Sequence, residues 1–377
     1  MQTILFLLNE LDEISHSRMV LKIVSYLDKK RFSPYVYSLR SRGSLLGEFQ
    51  SILKDHFYVS SGNILIDVLR IRKVIKNLSN CIVQTPAVRS DYVIFLVKIL
   101  LFGNYPFYHV AVRHNYFFQN NSLCHFFKNI LYFFSCRFVD KNVCVAKHIG
   151  EKIINELKIS PQKVSTIVNG ADYSPVIKES NRIKQSLKLK KGIPIILYIG
   201  SLSPRKNLTV LIEALSRIQR NYYCIIIGEG EEQEKIGETI KGKNLAEKIM
   251  LLGPQKNVDD YLNLADIFVM PSLDEGLSLS IIEAMHAGLP CVVSNIDGNR
   301  ELIEHMQNGV IFSAQNKDEC TSSILSLLKN RKLRRELGKK ARYKANKLYS
   351  EESMLVEYQR LYGDVLKEIS NTNYVQK

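Results

Sequence analysis

Short apolar runs alternate with helix-forming segments along almost the whole of this 377-residue chain. In its first half, strands are predicted at residues 3–8, 35–39, 81–84, 108–112, 142–145 and 164–168, and helices begin near Ser17, Ser90, Leu123 and Lys147. Strands that alternate with helices in this way form a parallel sheet covered by helices. The sequence therefore predicts an α/β protein.

The alternation pauses over the polar stretch 172–191 and then restarts. In the second half, strands are predicted at 195–199, 223–227, 250–252, 267–270, 291–293 and 310–312, and helices at 208–218, 231–241, 258–264 and 318–329. A chain of this length exceeds the usual limit for one hydrophobic core. We therefore expect two doubly wound, Rossmann-like domains facing across a cleft: a domain at 1–175, a linker at 176–192 and a domain at 193–349.

The net charge of +15 is unevenly distributed. Residues 1–180 hold 23 basic and 13 acidic side chains, which favours contact with an anionic membrane or a nucleic acid. The longest apolar run, residues 92–102, contains Lys98 and is too short to cross a bilayer. Residues 1–8 lack the basic start of a signal peptide, so we expect none, and the seven cysteines show no metal-binding spacing. We expect a cytoplasmic protein.

Two acids between residues 271 and 301 occupy contrasting settings. Glu275 precedes a glycine, which favours a loop, whereas residues 278–287 favour a helix that contains Glu283. The amino end of such a helix presents free N–H groups that suit an anion such as a diphosphate. Two simpler interpretations remain open at this point: Ser280-x-x-Glu283 fits a capping box, and Glu275 fits an ordinary surface acid.

A second loop combines a glycine with two basic residues. Gly200 follows the predicted strand 195–199, and Arg205 and Lys206 precede the next helix. A strand, glycine, loop and helix in this order can hold a phosphate, whose charge the two bases would neutralise. A solvated basic turn is the alternative.

Polar residues also follow predicted elements of the first half. Arg113, His114 and Asn115 come directly after the strand 108–112, where open parallel sheets bind ligands. Near the amino terminus, Ser15 fits a helix N-cap, while His16 is a candidate for the cleft. A lone histidine is more often structural than catalytic, so both interpretations of His114 stand.

Taken as a whole, the string E-G-L-S-L-S-I-I-E-A-M-H-A-G-L-P-C-V-V-S, followed by G-N-R-E, resembles the donor-site signature of the retaining family 4 glycosyltransferases. The likeness extends to the loop at Gly200. It implies a GT-B fold and metal-independent transfer of a sugar from a nucleoside diphosphate sugar. It also implies that a final helix, residues 350–370, crosses back to the first domain.

The resemblance assigns roles to individual residues. Glu275 would orient the donor sugar and Glu283 the ribose, Arg205 and Lys206 would hold the diphosphate, and His114 would lie near the transferred sugar. The other implied donor-binding positions are Gly200, Ser201, Gly228, Asn257, Val258, Gly276, Leu277, Ser278 and Leu279, with Ser15, His16, Arg113 and Asn115 as candidates in the first domain. Two departures from the family stand out: Ser201 occupies an arginine position, and the stretch around Ser15 lacks the usual glycine pair.

We therefore expect a glycosyltransferase that acts on a lipid-linked or cell-surface glycan, as in polysaccharide, lipopolysaccharide or capsule assembly. No cofactor, metal or nucleic acid is expected, and the protein would lie on the inner face of the plasma membrane. Alternatives are an epimerase or phosphorylase on the same scaffold, or a binding subunit that has lost its donor site. Because Glu275 and Lys206 are expected in loops, alanine at either should abolish transfer and leave the fold intact.

The aromatic stretch 123–138 predicts a helix with a buried face. That face contains Leu123, Phe126, Phe127, Ile130, Leu131, Phe134 and Phe138 at helical spacing. Tyr132 and Phe133 lie off this stripe, beside Lys128 and Arg137, and would form a basic, aromatic edge that faces the membrane.

Overall fold

The computed structural model describes residues 1–12, 15–78, 81–101, 107–116, 123–173 and 180–371. Met1–Val168 and Glu352–Lys377 form one compact unit, and Asn169–Glu351 form another. The division falls ahead of the predicted linker at 176–192. The reason is that the chain after Val168 already pairs within the second unit, where the Ala171 amide donates to the Tyr349 carbonyl over 3.0 Å.

The first unit is built on a seven-stranded parallel sheet. Its elements are β1 (Gln2–Leu8), α1 (Ser15–Tyr26), β2 (Phe32–Ser38), α2 (Leu46–Leu53), β3 (Phe57–Val59), α3 (Ile64–Leu78), β4 (Cys81–Thr85), α4 (Val88–Leu100), β5 (Phe107–Arg113), α5 (Leu123–Arg137), β6 (Lys141–Cys144), α6 (Lys147–Asn155) and β7 (Val164–Thr166). The strand order is β3-β2-β1-β4-β5-β6-β7. The central strands are buried on both sides, as the continuous apolar runs predict.

The second unit contains a six-stranded parallel sheet of order β10-β9-β8-β11-β12-β13. Its elements are α7 (Ser180–Ser186), β8 (Ile195–Ile199), α8 (Leu208–Ser216), β9 (Tyr223–Ile227), α9 (Gln233–Gly242), β10 (Ile249–Leu251), α10 (Val258–Leu264), β11 (Ile267–Met270), α11 (Leu279–His286), β12 (Cys291–Ser294), α12 (Asp297–Leu302), β13 (Gly309–Phe312), α13 (Lys317–Lys329) and α14 (Arg331–Leu348). Both sheets reverse their strand order once, at β1/β4 and at β8/β11. In open α/β sheets, such a reversal opens a crevice for ligands at the carboxyl ends of the strands.

The last helix, α15 (Glu351–Asn371), packs on the first unit. Tyr358 and Tyr362 are fully buried there, and the Tyr362 hydroxyl donates to Gln84 Oε1 of β4 over 2.6 Å. Ser350, the residue before this helix, explains why position 170 is a glycine. A Cβ on Gly170 would lie 2.2 Å from the Ser350 carbonyl oxygen, so the close approach requires glycine.

The expected buried stripe of α5 is wrong. Leu131, Phe134 and Phe138 are 43–48% exposed, whereas Tyr132, expected on the membrane-facing edge, is 1% exposed. The buried side of the helix instead carries Tyr132 and Cys136 together with the polar residues Asn129 and Ser135. The side chains of Leu123, Phe126, Phe127 and Lys128 lie outside the described part of the structure. Within the described residues, no helix is both long and apolar enough to cross a bilayer.

Candidate active site

The two loops predicted to bind a diphosphate meet at the strand reversal of the second unit. One follows β8 and carries Arg205 and Lys206, and the other follows β11 and carries Glu275. The loops are tied together by their backbones, since the Leu273 amide donates to the Arg205 carbonyl over 2.8 Å. Asn207 adds a second tie, its side-chain amide donating to the Pro271 carbonyl over 3.1 Å.

Glu275 is the centre of a compact charged cluster. Its Oε1 accepts from Lys206 Nζ at 2.5 Å and from the Ser272 hydroxyl at 2.8 Å, and its Oε2 accepts from Arg205 at 3.2 Å. Glu275 and Lys206 are 8% and 7% exposed, whereas the Arg205 side chain is 42% exposed. Glu275 is therefore no ordinary surface acid. Its carboxylate bridges the buried ammonium of Lys206 and the exposed guanidinium of Arg205.

Two glycines allow the backbone to approach this cluster. Gly228, after β9, has φ +136°, and a Cβ there would lie 1.9 Å from the Gly200 carbonyl oxygen. Gly298, in α12, would place its Cβ 2.4 Å from the carbonyl oxygen of Glu275 itself. The G-N-R-E motif thus holds the acidic loop in position through backbone packing. Sequence reasoning assigned Gly298 no role, although the motif itself was the available signal.

Helix α11 supplies amide donors beside the cluster. It begins at Leu279, and its N-cap, Ser278, makes no side-chain capping hydrogen bond. Ser280 is the second residue of the helix and is therefore not an N-cap, so the capping-box interpretation of Glu283 is wrong. At the other end, Arg342 donates to the carbonyls of His286 and Ala287, which fixes the helix against α14.

The remaining predicted donor residues lie on loops and helix starts of the same unit. Gly276, Leu277 and Ser278 are buried, Ser201 and Asn257 are exposed, and Val258 begins α10. Loops after β8, β9, β10 and β11 thus carry the positions that the sequence assigned to the donor. Among the described residues, no group of three or more His, Cys, Asp or Glu side chains is arranged to hold a metal ion.

In the first unit, His16 of α1 and His114 after β5 lie together. Their ring centroids are 5.9 Å apart, and the Nε2 atom of each is buried without a hydrogen-bond partner among the described residues. Burial, followed by the neighbouring His16, lowers the pKa of His114 to about 3. Burial also lowers the pKa of His16. Both rings are therefore neutral near pH 7.

Arg113, a candidate for the cleft, is held inside the core of the first unit. It is 1% exposed, pairs with Asp91 of α4, donates to Asn142 Oδ1 over 2.8 Å and donates to the Ser135 carbonyl over 2.9 Å. An arginine satisfied on three sides inside the core acts as a structural residue. The carbonyl of Asn115 accepts from Tyr132, and the side chain of Ser15 lies outside the described part.

Comparison with known proteins identifies the second unit. Residues 179–344 match the family model for glycosyl transferases group 1. This segment is thus similar to group 1 glycosyltransferase domains. The segment includes Lys206, Glu275 and Glu283, so the charged cluster lies within the matched region.

Three of the relatives of this chain are named for diphosphoundecaprenol-linked sugars. The chain is 31% identical to the UDP-Gal:alpha-D-GlcNAc-diphosphoundecaprenol alpha-1,3-galactosyltransferase of Escherichia coli, over 51% of this chain and 52% of that protein. It is 26% identical to the N,N'-diacetylbacillosaminyl-diphospho-undecaprenol alpha-1,3-N-acetylgalactosaminyltransferase of Campylobacter jejuni, over 84% of this chain and 83% of that one. The chain spans only 52–61% of the length of the first four curated relatives that it matches.

The similarity of structure extends beyond residues 179–344. The structure of Anabaena HepE in complex with UDP and glucose superposes with a TM-score of 0.82, covering 98% of this chain and 100% of that one at 17% identity. Both parallel-sheet units are thus included, and the chain has the GT-B fold, as predicted.

Proposed function

We propose that this chain is a retaining, metal-independent glycosyltransferase of family 4. It would move a sugar from a nucleoside diphosphate sugar to a lipid-linked or cell-surface glycan at the cytoplasmic face of a membrane. The observation that supports this most directly is the cluster of Lys206, Arg205 and Glu275 beside the start of α11, inside the segment that matches the group 1 model.

The cluster suits the departure of a diphosphate. Lys206 and Arg205 offer two positive charges, and the first turn of α11 adds backbone N–H groups and the positive end of the helix dipole. Charge that develops on the leaving oxygen is stabilised by donors that are already in place. The protein thus provides the charge that a divalent cation supplies in metal-dependent enzymes.

Glu275 has two roles in this proposal. Its carboxylate holds both cations in the resting site and retains lone pairs for a hydroxyl of the donor sugar. The acceptor hydroxyl would attack from the face that the diphosphate leaves, passing its proton to the leaving oxygen, so that the anomeric configuration is kept. Glu283 would bind the ribose, and the role of His114 beside the transferred sugar stays a prediction.

The proposed acceptor is supported by the names of three relatives, each of which includes a diphospho-undecaprenol-linked sugar. A polyprenyl-linked sugar is presented at a membrane surface. The net charge of residues 1–180 is +10 (23 basic and 13 acidic side chains), which favours an anionic surface. The donor sugar, the base and the linkage are to be found by screening thermal stabilisation with UDP-, GDP- and ADP-linked sugars.

Arg205→Ala, with Arg217→Ala as its control, tests the site. The two arginine side chains are 42% and 40% exposed, and each pairs with one carboxylate, Glu275 or Asp318. Loss of a preorganised charge contact should slow transfer about 10²- to 10³-fold in Arg205→Ala, while Arg217→Ala keeps the wild-type rate. Equal rates in the two variants would rule out the proposed phosphate contact.

Two measurements test the reaction type. Transfer should persist in excess EDTA, because Arg205, Lys206 and helix amides neutralise the diphosphate. NMR of the product should show the anomeric configuration of the donor. Loss of transfer that Mg²⁺ or Mn²⁺ restores would reject metal independence, and an inverted anomer would reject retention.

A further inference from the structure

Three consecutive helices of the first unit, α3, α4 and α5, share an unusual surface. Helix α4 packs against both α3 and α5, so the three form one continuous layer. We call the solvent-exposed side of this layer the helical face. Its composition differs from that of an ordinary solvated surface, which indicates that it binds a partner.

Large apolar side chains project from the helical face. Those on α4, on α5 and directly after α5 are Phe95, Leu96, Ile99, Leu131, Phe134 and Phe138, each 39–54% exposed. Their rings touch across the two helices: the centroids of Phe95 and Phe138 are 5.5 Å apart, and those of Phe134 and Phe138 are 5.7 Å apart. On α3, Leu65 and Leu69 are 69% and 55% exposed. A contiguous patch of this kind marks an interaction site.

A cavity opens between α4 and α5 beneath these rings. Its volume is about 320 Å³, and Tyr92, Phe95, Leu131, Phe134 and Phe138 are among its lining residues. The apolar side chains therefore border a recess rather than a flat, closely packed surface. Such a recess can admit hydrocarbon between the two helices.

Every exposed charge on these helices is positive. The only acids in α3, α4 and α5 are Asp67 and Asp91, which are 1% and 2% exposed. Asp67 accepts from Tyr37 and from Ser60 and Ser61, and Asp91 pairs with Arg113. The exposed bases are Arg70, Lys73, Lys76, Arg89 and Arg137. Asp140, just beyond α5, lies 3.8 Å from the ammonium of Lys98.

This charge pattern distinguishes two occupants. A symmetric contact with a second copy would bring the same basic residues together on both sides, and like charges repel. An anionic lipid surface instead attracts the bases while its acyl boundary accepts the apolar side chains. The helical face is thus complementary to a bilayer and not to itself.

We propose that the helical face binds an anionic lipid bilayer, with the apolar side chains of α4 and α5 inserted at the interface and the surrounding bases against the headgroups. This inference deepens the membrane-proximal acceptor proposed above, and its biological purpose rests on that proposal. It differs from simple electrostatic adsorption. Inserted aromatic side chains keep part of their binding energy when salt screens the charges.

The test is co-sedimentation of the full chain with vesicles of phosphatidylcholine alone or mixed with phosphatidylglycerol. Wild type should bind the anionic vesicles at low salt, retain a measurable bound fraction at high salt, and bind the neutral vesicles weakly. The double variant Phe134→Ser/Phe138→Ser should bind anionic vesicles at least about tenfold less, since tenfold requires only about 1.4 kcal/mol of lost burial. The matched control is Ile52→Ser/Val356→Ser, which changes apolar residues 39% and 46% exposed on α2 and α15.

Wild-type binding by the phenylalanine variant, or no binding of wild type to anionic vesicles at low salt, would overturn the proposal. Sedimentation equilibrium without vesicles adds another check: a dimer that the same variant dissociates would assign the face to a second copy. Sugar transfer to a soluble acceptor analogue is measured in parallel. Vesicle binding without transfer would reject the proposed function alone, whereas transfer without vesicle binding would reject this inference alone.

Discussion

The buried pair of Lys206 and Glu275 predicts that single substitutions at these positions will weaken the fold. This corrects the expectation that loop residues can be changed at no structural cost. Their side chains are only 9% and 8% exposed, and removing one partner leaves the other charge in a poorly solvated position. Breaking such a pair typically costs about 3–5 kcal/mol of unfolding free energy.

The two single variants should differ in a defined direction. After Lys206→Met, Glu275 keeps Arg205 at 3.2 Å and Ser272 at 2.8 Å, so we expect a loss of about 2 kcal/mol, below the usual range. After Glu275→Gln, Lys206 and Arg205 lose the charge that held them together. We expect about 3 kcal/mol or more for that variant.

The double variant Lys206→Met/Glu275→Gln tests the coupling. Its loss should fall short of the sum of the single losses by at least about 1 kcal/mol, because each single loss includes the cost of stranding the partner. Urea unfolding followed by circular dichroism gives these free energies, since the chain contains no tryptophan to report by fluorescence. In the exposed pair Arg217–Asp318, the corresponding changes should cost under about 1 kcal/mol each. Additive losses at Lys206 and Glu275 would refute the reasoning.

Two further predictions follow from the described geometry. Gly228→Ala should lower the melting temperature and abolish stabilisation by the donor nucleotide, because its Cβ would overlap the neighbouring backbone. In the same thermal scan, Gly237→Ala in α9 should be neutral or stabilising, because the space around Gly237 is open. Burial lowers the pKa of both His109 and His114, so in acid the unfolded chain binds protons that the folded chain does not. The free energy of unfolding should therefore fall as the pH drops below about 6.5, by up to about 1.4 kcal/mol per pH unit for each ring. His109→Gln/His114→Gln should flatten urea-measured stability between pH 6.5 and pH 4 relative to the exposed-site control His305→Gln, and an unchanged slope would show that other groups cause it.

The sequence by itself determined the class of fold and the loops on which the candidate donor-site residues lie. Apolar runs predicted all six strands of the second unit to within one residue at each end, since strands buried in a parallel sheet need continuous apolar sequence. The edge strand β3 was not predicted, because its apolar run of three residues, Phe57–Val59, is shorter than the roughly four to eight that signal a strand. The spacing of Glu275 and Glu283 placed one acid on a loop and the other on α11, as the structure has them.

Tertiary structure decided which of these residues contact one another. No local pattern shows that Lys206, 69 positions before Glu275 in the chain, is buried against it, because that contact depends on β8 and β11 being neighbours. The need for glycine at position 298 also depends on a tertiary contact, because the backbone of Glu275 occupies the space that a Cβ would fill.

Helix α5 shows the same limit most clearly. The helical spacing of its apolar residues predicts a helix with one apolar face, but that spacing does not show whether the apolar face packs on the sheet or faces the solvent. The buried side of α5 borders the buried pair Asp91–Arg113, to which the backbone carbonyl of Ser135 offers an acceptor. Of the described members of the stripe, Leu131, Phe134 and Phe138 are exposed, and only the folded chain reveals this.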